Sequence, residues 1–127
     1  MTTRDNPLHA AQPDVAEALN RMQAVAREAT DPALLELCRQ RVSELLDDGD
    51  PIPPSRLLTP AERAFLAFTD QFVFSVASVS DADVAALLEH AEPVDVYRFV
   101  AALYSVEMSL RIDIVGRSVL GQQEVPA

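Results

Sequence analysis

The chain has 127 residues, of which 49% are hydrophobic, three are glycine and one is cysteine, and its net charge is -10. This length suits one domain with a core of its own, and the scarcity of glycine together with scattered β-branched residues favours helices over strands. Because the acidic charge is spread along the chain and would repel a phosphate backbone, we expect no nucleic-acid partner.

Two features of the sequence bear on location. The chain opens with a polar segment where a secreted protein would carry a charged and then apolar signal. The longest apolar-rich run, near the C-terminus, is interrupted by Arg98, Glu107 and Arg111, which argues against a membrane span. We therefore expect a cytoplasmic protein without a membrane partner.

Hydrophobic periodicity predicts an all-α fold of about five helices with a long C-terminal helix. These helices would form a single domain over residues 13–121, between a flexible arm at 1–12 and a tail at 122–127. Asp31 followed by Pro32 marks the start of the second helix, and Ser80 followed by Asp83 marks that of the fourth. The predicted helices span about 13–29, 32–46, 60–74, 81–89 and 94–120.

The third predicted helix carries the clearest start signal. Thr59 and Glu62 stand at capping-box spacing, with Pro60 at the first helical position between them. Apolar residues then recur at steps of three and four along one broad face, namely Ala61, Phe65, Phe68 and Phe72. We expect this helix to be the central and most buried one.

The segment before it, residues 47–56, contains three prolines and one glycine and cannot hold a regular element. Its aspartates lack the alternating ligands and the terminal glutamate of a calcium-binding loop. The sequence therefore predicts an acidic, solvated loop and no bound metal.

The last predicted helix would be roughly 40 Å long at 1.5 Å per residue, which is more than a small domain needs to cover its own core. Its second half also carries apolar residues on more than one face. This surplus predicts oligomerisation, either with further copies of the chain or with a related subunit. The alternative is a kink near Ser109 or Gly116 that folds the end of the helix back.

Paired charges occur within this otherwise apolar helix. Tyr104, Glu107 and Arg111 share a face at steps of three and four, and Asp113 and Arg117 form a second pair four residues apart. Such charges are costly to bury unless they are matched. Two interpretations stay open: a salt-bridge network at an interface, or a carboxylate and an arginine that line a pocket for a small acid.

Nucleophilic catalysis finds little support in the sequence. His9 lies in the predicted arm, and His90 falls in the last turn of the fourth helix, where the helix dipole favours a protonated imidazole. Cys38 belongs to the apolar stripe of the second helix, which is typical of a small buried hydrophobe. No cofactor is expected.

Four stretches taken together resemble the AhpD-like alkylhydroperoxidase and carboxymuconolactone decarboxylase family. They are DPALLELCRQRVSELL, LTPAERAFLAFTDQF, VSDADVAALLEH and PVDVYRFVAALYSVEMSLRIDIVGRSVL, which cover about residues 31–120. The first two are distinctive in that order, whereas the last two match mainly in pattern. The resemblance implies an all-helical fold and assembly into trimers, hexamers or related oligomers.

Peroxidase members of that family carry a Cys-x-x-Cys-x-x-x-His motif on the helix after the LLEL helix, preceded by a glutamate of the proton relay. The resemblance places Glu36 at that glutamate and the redox residues at Asp48, Pro51 and Ser55, so all three redox residues are missing. Too few residues separate the second and third helices to hold the helix that should bear the motif. The decarboxylase branch offers no match either, since its catalytic histidines correspond to neither His9 nor His90.

Thiol peroxidase chemistry needs an attacking thiolate and a resolving thiol, which one cysteine cannot supply within a chain. The resemblance therefore predicts a pseudoenzyme of this family, a non-peroxidase subunit that oligomerises or binds a partner.

Two alternatives remain open. In the first, the chain is an acid–base enzyme for a small carboxylic acid or lactone, with Glu36 or Glu107 as general base and Arg111 or Arg41 as the carboxylate anchor. That mechanism requires a carboxylate with a raised pKa in a closed pocket. In the second, the chain binds such a molecule without transforming it.

Overall fold

The computed structural model describes residues 12–47 and 49–121, and this part of the chain contains five α-helices and no strand. The predicted all-α class and long C-terminal helix are confirmed, whereas the tail and all of the predicted arm except Gln12 lie outside the described residues. The helices are α1 (Pro13–Ala29), α2 (Pro32–Asp47), α3 (Pro60–Phe74), α4 (Asp81–Leu88) and α5 (Pro93–Gly121), with a 3-10 turn at Val76–Ser78.

Local capping explains where the helices begin. The Thr59 Oγ1 atom accepts a hydrogen bond from the Glu62 backbone N–H at 3.1 Å, and the Glu62 carboxylate accepts one from the Thr59 N–H at 2.9 Å. Ser80 and Asp83 form the same reciprocal pair at the start of α4. At its other end α4 stops at Leu88, so His90 follows the helix and does not lie in its last turn as predicted.

The helices α2 and α3 run in the same direction although they follow one another in the chain. Leu34 and Ala61 line one cavity near the starts of the two helices. Further along both, Arg41 Nε lies 3.4 Å from Asp70 Oδ1. The linker must therefore return over the length of a helix, and its prolines suit an extended path. Ile52 in this linker packs, partly buried, against the core.

Aromatic rings join α3 to α5. Phe65 and Phe99 meet edge to face with their ring centroids 4.6 Å apart, and Phe72 and Tyr104 meet in the same way at 5.6 Å. The residue nearer the start of α3 pairs with the one nearer the start of α5, and the later residue pairs with the later one, so α3 and α5 are also parallel. Such pairs add about 0.5–1.5 kcal/mol to the effect of area burial.

The helix α1 packs mainly along α5. Glu28 in its last turn and Ala91 just before α5 line one cavity, so the two helices are antiparallel. Both helices bury small residues, Ala26 on α1 and Ala102 and Ser105 on α5. Small side chains allow two helix backbones to approach closely, and both α1 and α5 bury such side chains.

One hydrophobic core is shared by all five helices. Because α2, α3 and α5 contribute most of it, the helix predicted to be central, α3, shares that position with its two parallel neighbours. The buried core residues are Ala26, Leu35, Leu37, Cys38, Val42, Phe65, Leu66, Phe68, Phe72, Leu87, Val96, Phe99, Ala102, Leu103 and Val106.

The long helix α5 is continuous through Ser109 and Gly116. The alternative in which its end folds back is therefore wrong. Within the described residues, no helix combines the length and the hydropathy that crossing a bilayer would require.

Truncation of a core ring tests this packing. Phe99 is fully buried, so Phe99→Ala should lower the free energy of unfolding by about 3–5 kcal/mol through lost burial and the cavity left behind. Urea denaturation followed by circular dichroism measures the change. Leu57, 93% exposed in the linker, provides the control, and Leu57→Ala should change stability by no more than about 0.5 kcal/mol. Equal effects of the two substitutions would contradict the described core.

Candidate functional site

Glu36, a predicted general base, lies on the surface of α2. Its side chain is 58% exposed, and its two carboxylate oxygens accept hydrogen bonds from Arg39 Nε and Nη2 at 2.8 and 2.7 Å. The hydrogen bond from Arg39 is the main reason that the pKa of Glu36 lies below its ordinary value. The acid–base hypothesis requires a raised pKa for its general base, and for Glu36 that expectation is wrong.

Glu107 and Arg111, the other two predicted site residues, pair with each other on α5. Arg111 Nε lies 2.9 Å from Glu107 Oε1, and Arg111 Nη2 donates a hydrogen bond to the Val73 carbonyl at 3.4 Å. This arginine thus joins α5 to the end of α3. The second predicted pair also forms, with Arg117 Nη2 lying 3.2 Å from Asp113 Oδ2.

The predicted catalytic groups do not converge on one place. Glu36 lines a cleft between α1, α2 and α5, whereas Glu107 and Arg111 lie on the side of α5 that faces the end of α3. Arg41, the alternative anchor, is held between Glu44 at 3.6 Å and Asp70 at 3.4 Å. Of the predicted combinations of base and anchor, the structure brings together Glu107 with Arg111, and that arginine is already occupied by the glutamate and the Val73 carbonyl.

Cys38 is fully buried in the core, as predicted. Burial raises the pKa of its thiol to about 11, and the neighbouring Thr69 hydroxyl offsets only part of this effect. The thiolate, which is the reactive form, is therefore scarce at neutral pH. Of the positions where the resemblance would place redox residues, Pro51 and Ser55 lie in the non-helical linker, and Asp48 lies outside the described residues.

The cleft that contains Glu36 is a feature that the sequence did not reveal. It has a volume of about 580 Å³, with an apolar floor made by Leu35, Val106 and Leu110. Its polar rim consists of Gln23, Arg27, Glu36 and Arg39. The floor and the rim together come from α1, α2 and α5, and no spacing along the chain predicts that these three helices meet here. Across the part of the chain that the structure describes, no group of three or more His, Cys, Asp or Glu side chains could hold a metal ion.

A second feature runs along the outer side of α5. Uncharged residues recur there at steps of three and four, on the side opposite the buried Phe99 and Val106, and we call this surface the α5 stripe. Six of its members are exposed, and Met108 and Ile112 are half-buried. The α5 stripe consists of Val94, Tyr97, Ala101, Tyr104, Met108, Ile112, Val115 and Val119.

Comparisons with known proteins identify no family for this chain. No family model, curated protein or solved structure matches the chain. The resemblance to AhpD-like proteins stays a prediction that rests on the residues quoted for it. The structure itself defines the class, which is a five-helix α domain with an amphipathic cleft on one side of α5 and an exposed apolar stripe on the other.

The raised pKa of Cys38 makes a measurable prediction. A thiol with a pKa of about 11 in place of 9.0 has about a hundredfold less thiolate at pH 8. Native protein should therefore react with a thiol-specific disulfide reagent at least about a hundredfold more slowly than protein unfolded in urea. The labelling rate, followed by absorbance, checks this expectation, and equal rates in the two states would contradict it.

Proposed function

We propose that this chain is a non-catalytic, AhpD-like helical subunit that associates with a second copy of itself through the α5 stripe. The observation that carries the proposal is the exposure of that stripe along nearly the whole of a 29-residue helix. A contiguous exposed apolar surface of this extent on a small domain is typical of an interaction site.

The spacing within the α5 stripe favours another helix as its occupant. Side chains three and four residues apart lie on one face of a helix. The same spacing separates the residues that pack as knobs into holes between two helices. From Val94 to Val119 the stripe extends about 38 Å at 1.5 Å per residue. Tyr97 is 76% exposed, and Val115 and Val119 are 60% and 59% exposed, so this chain supplies little cover for them.

The charge distribution favours a second copy of the chain as the partner. Two copies with a net charge of -10 each repel one another overall, but the α5 stripe contains no charged residue. Arg98 and Arg111 flank it, and the charge of Arg111 is matched by Glu107 within the same helix. A surface that pairs with itself around a twofold axis is the commonest arrangement in soluble oligomers. Oligomers are also what the resemblance to AhpD-like proteins implies.

Catalysis is less well supported than association. The pKa of Glu36 is lowered, the anchor Arg41 is already paired with two carboxylates, and the Cys38 thiol is buried. These observations favour a protein whose surfaces, more than any reactive side chain, carry its function. The missing redox motif of the AhpD-like pattern supports the same proposal.

Charged substitutions in the α5 stripe test the association. The wild-type chain should show a mass in solution of at least twice the 13.9 kDa of one chain, measured by size-exclusion chromatography with light scattering. The double variant Val115→Glu, Val119→Glu should be monomeric, because association would bury carboxylates in an apolar contact. Circular dichroism would establish that the variant keeps its helices.

A matched control comes from α1. Val25 is 64% exposed and lies outside the α5 stripe, so Val25→Glu should leave the mass unchanged. A wild-type chain that remains monomeric at high micromolar concentration would contradict the proposal. So would a double variant with the mass of the wild type.

A further inference from the structure

We propose that the cleft between α1, α2 and α5 binds a small amphipathic monocarboxylate, with the apolar body of the ligand on the cleft floor and its carboxylate at Arg27. This site lies on the side of α5 away from the α5 stripe, and the proposal does not depend on self-association.

The floor of the cleft suits an apolar body. Leu35 and Val106 belong to the buried core, and half-buried Leu110 extends their surface toward the opening. The volume of about 580 Å³ falls within the range of small-molecule sites, about 300–1,000 Å³. An aliphatic or aromatic group placed there would displace water from apolar side chains, which is favourable.

The rim of the cleft carries one more positive side chain than negative ones. Arg39 is committed to Glu36 through two hydrogen bonds. Arg27 stands near enough for its charge to lower the pKa of Glu36 as well, yet it forms no ion pair within 4.0 Å in the described part of the chain. Two arginines against one glutamate leave the rim positive, although the chain as a whole carries -10.

This balance selects the class of ligand. A cation would meet two guanidinium groups, and a neutral molecule would leave Arg27 without a counter-ion. A carboxylate matches the planar guanidinium with two parallel hydrogen bonds, and Gln23 adds an amide donor on the same rim. One spare positive charge over an apolar floor is therefore best matched by one carboxylate attached to an apolar group.

Octanoate is a suitable probe because it joins these two parts, while acetate and 1-octanol each carry one of them. Isothermal titration calorimetry should show saturable binding of octanoate to the full chain, with acetate and 1-octanol at least about tenfold weaker. Arg27→Gln should weaken octanoate binding about tenfold through loss of a charge-assisted pair. Arg63, an exposed arginine on α3 outside the cleft, provides the control, and Arg63→Gln should leave the affinity unchanged.

A second variant has the opposite expected sign. Glu36→Gln removes the internal counter-ion and releases Arg39, so octanoate should bind more tightly than to the wild type. Both substitutions replace exposed side chains, and circular dichroism would verify folding. Absence of saturable binding would overturn the proposal, as would equal binding of 1-octanol or an unchanged affinity in Arg27→Gln. The double variant Val115→Glu, Val119→Glu should bind octanoate like the wild type, which separates this result from that on self-association.

Discussion

The packing of the inner face of α5 is the interaction on which the rest of the structure depends. Phe99 is fully buried against Phe65, and Leu103 and Val106 extend the same face into the core. Once that face is turned inward, the apolar residues on the opposite side of the helix must face outward, because side chains on a helix are fixed at about 100° per residue. The exposed α5 stripe is thus a geometric consequence of how the core is filled.

The parallel arrangement of α2 and α3 is the second constraint. Two consecutive helices that run the same way need a connection as long as a helix, and the proline-rich linker between them supplies it in extended form. Ile52 and Leu58 from this region pack against the core. Residues 49–59 of this linker contain no helix.

The ion pairs show how far a site can be predicted from spacing. Glu107 with Arg111 and Asp113 with Arg117 were predicted, since four residues bring two side chains onto one helix face. The contact between Arg41 and Asp70 joins two helices, and no local rule predicts it. The pair of Glu36 and Arg39, three residues apart, also follows from local spacing. Its hydrogen bonds lower the pKa of Glu36, whereas a general base would need a raised one.

By itself, the sequence determined the all-α class, the bounds of the helices to within about two residues, the capping pair Thr59–Glu62 and the burial of Cys38. These properties depend on hydrophobic periodicity and on hydrogen bonds between residues at most four apart, so they can be read locally. Only the tertiary structure decided the directions of the helices, the outward face of α5 and the meeting of Arg27 with Glu36 in one cleft. Those features depend on contacts between residues that are distant in the chain. They are decided by how several helices pack together at once.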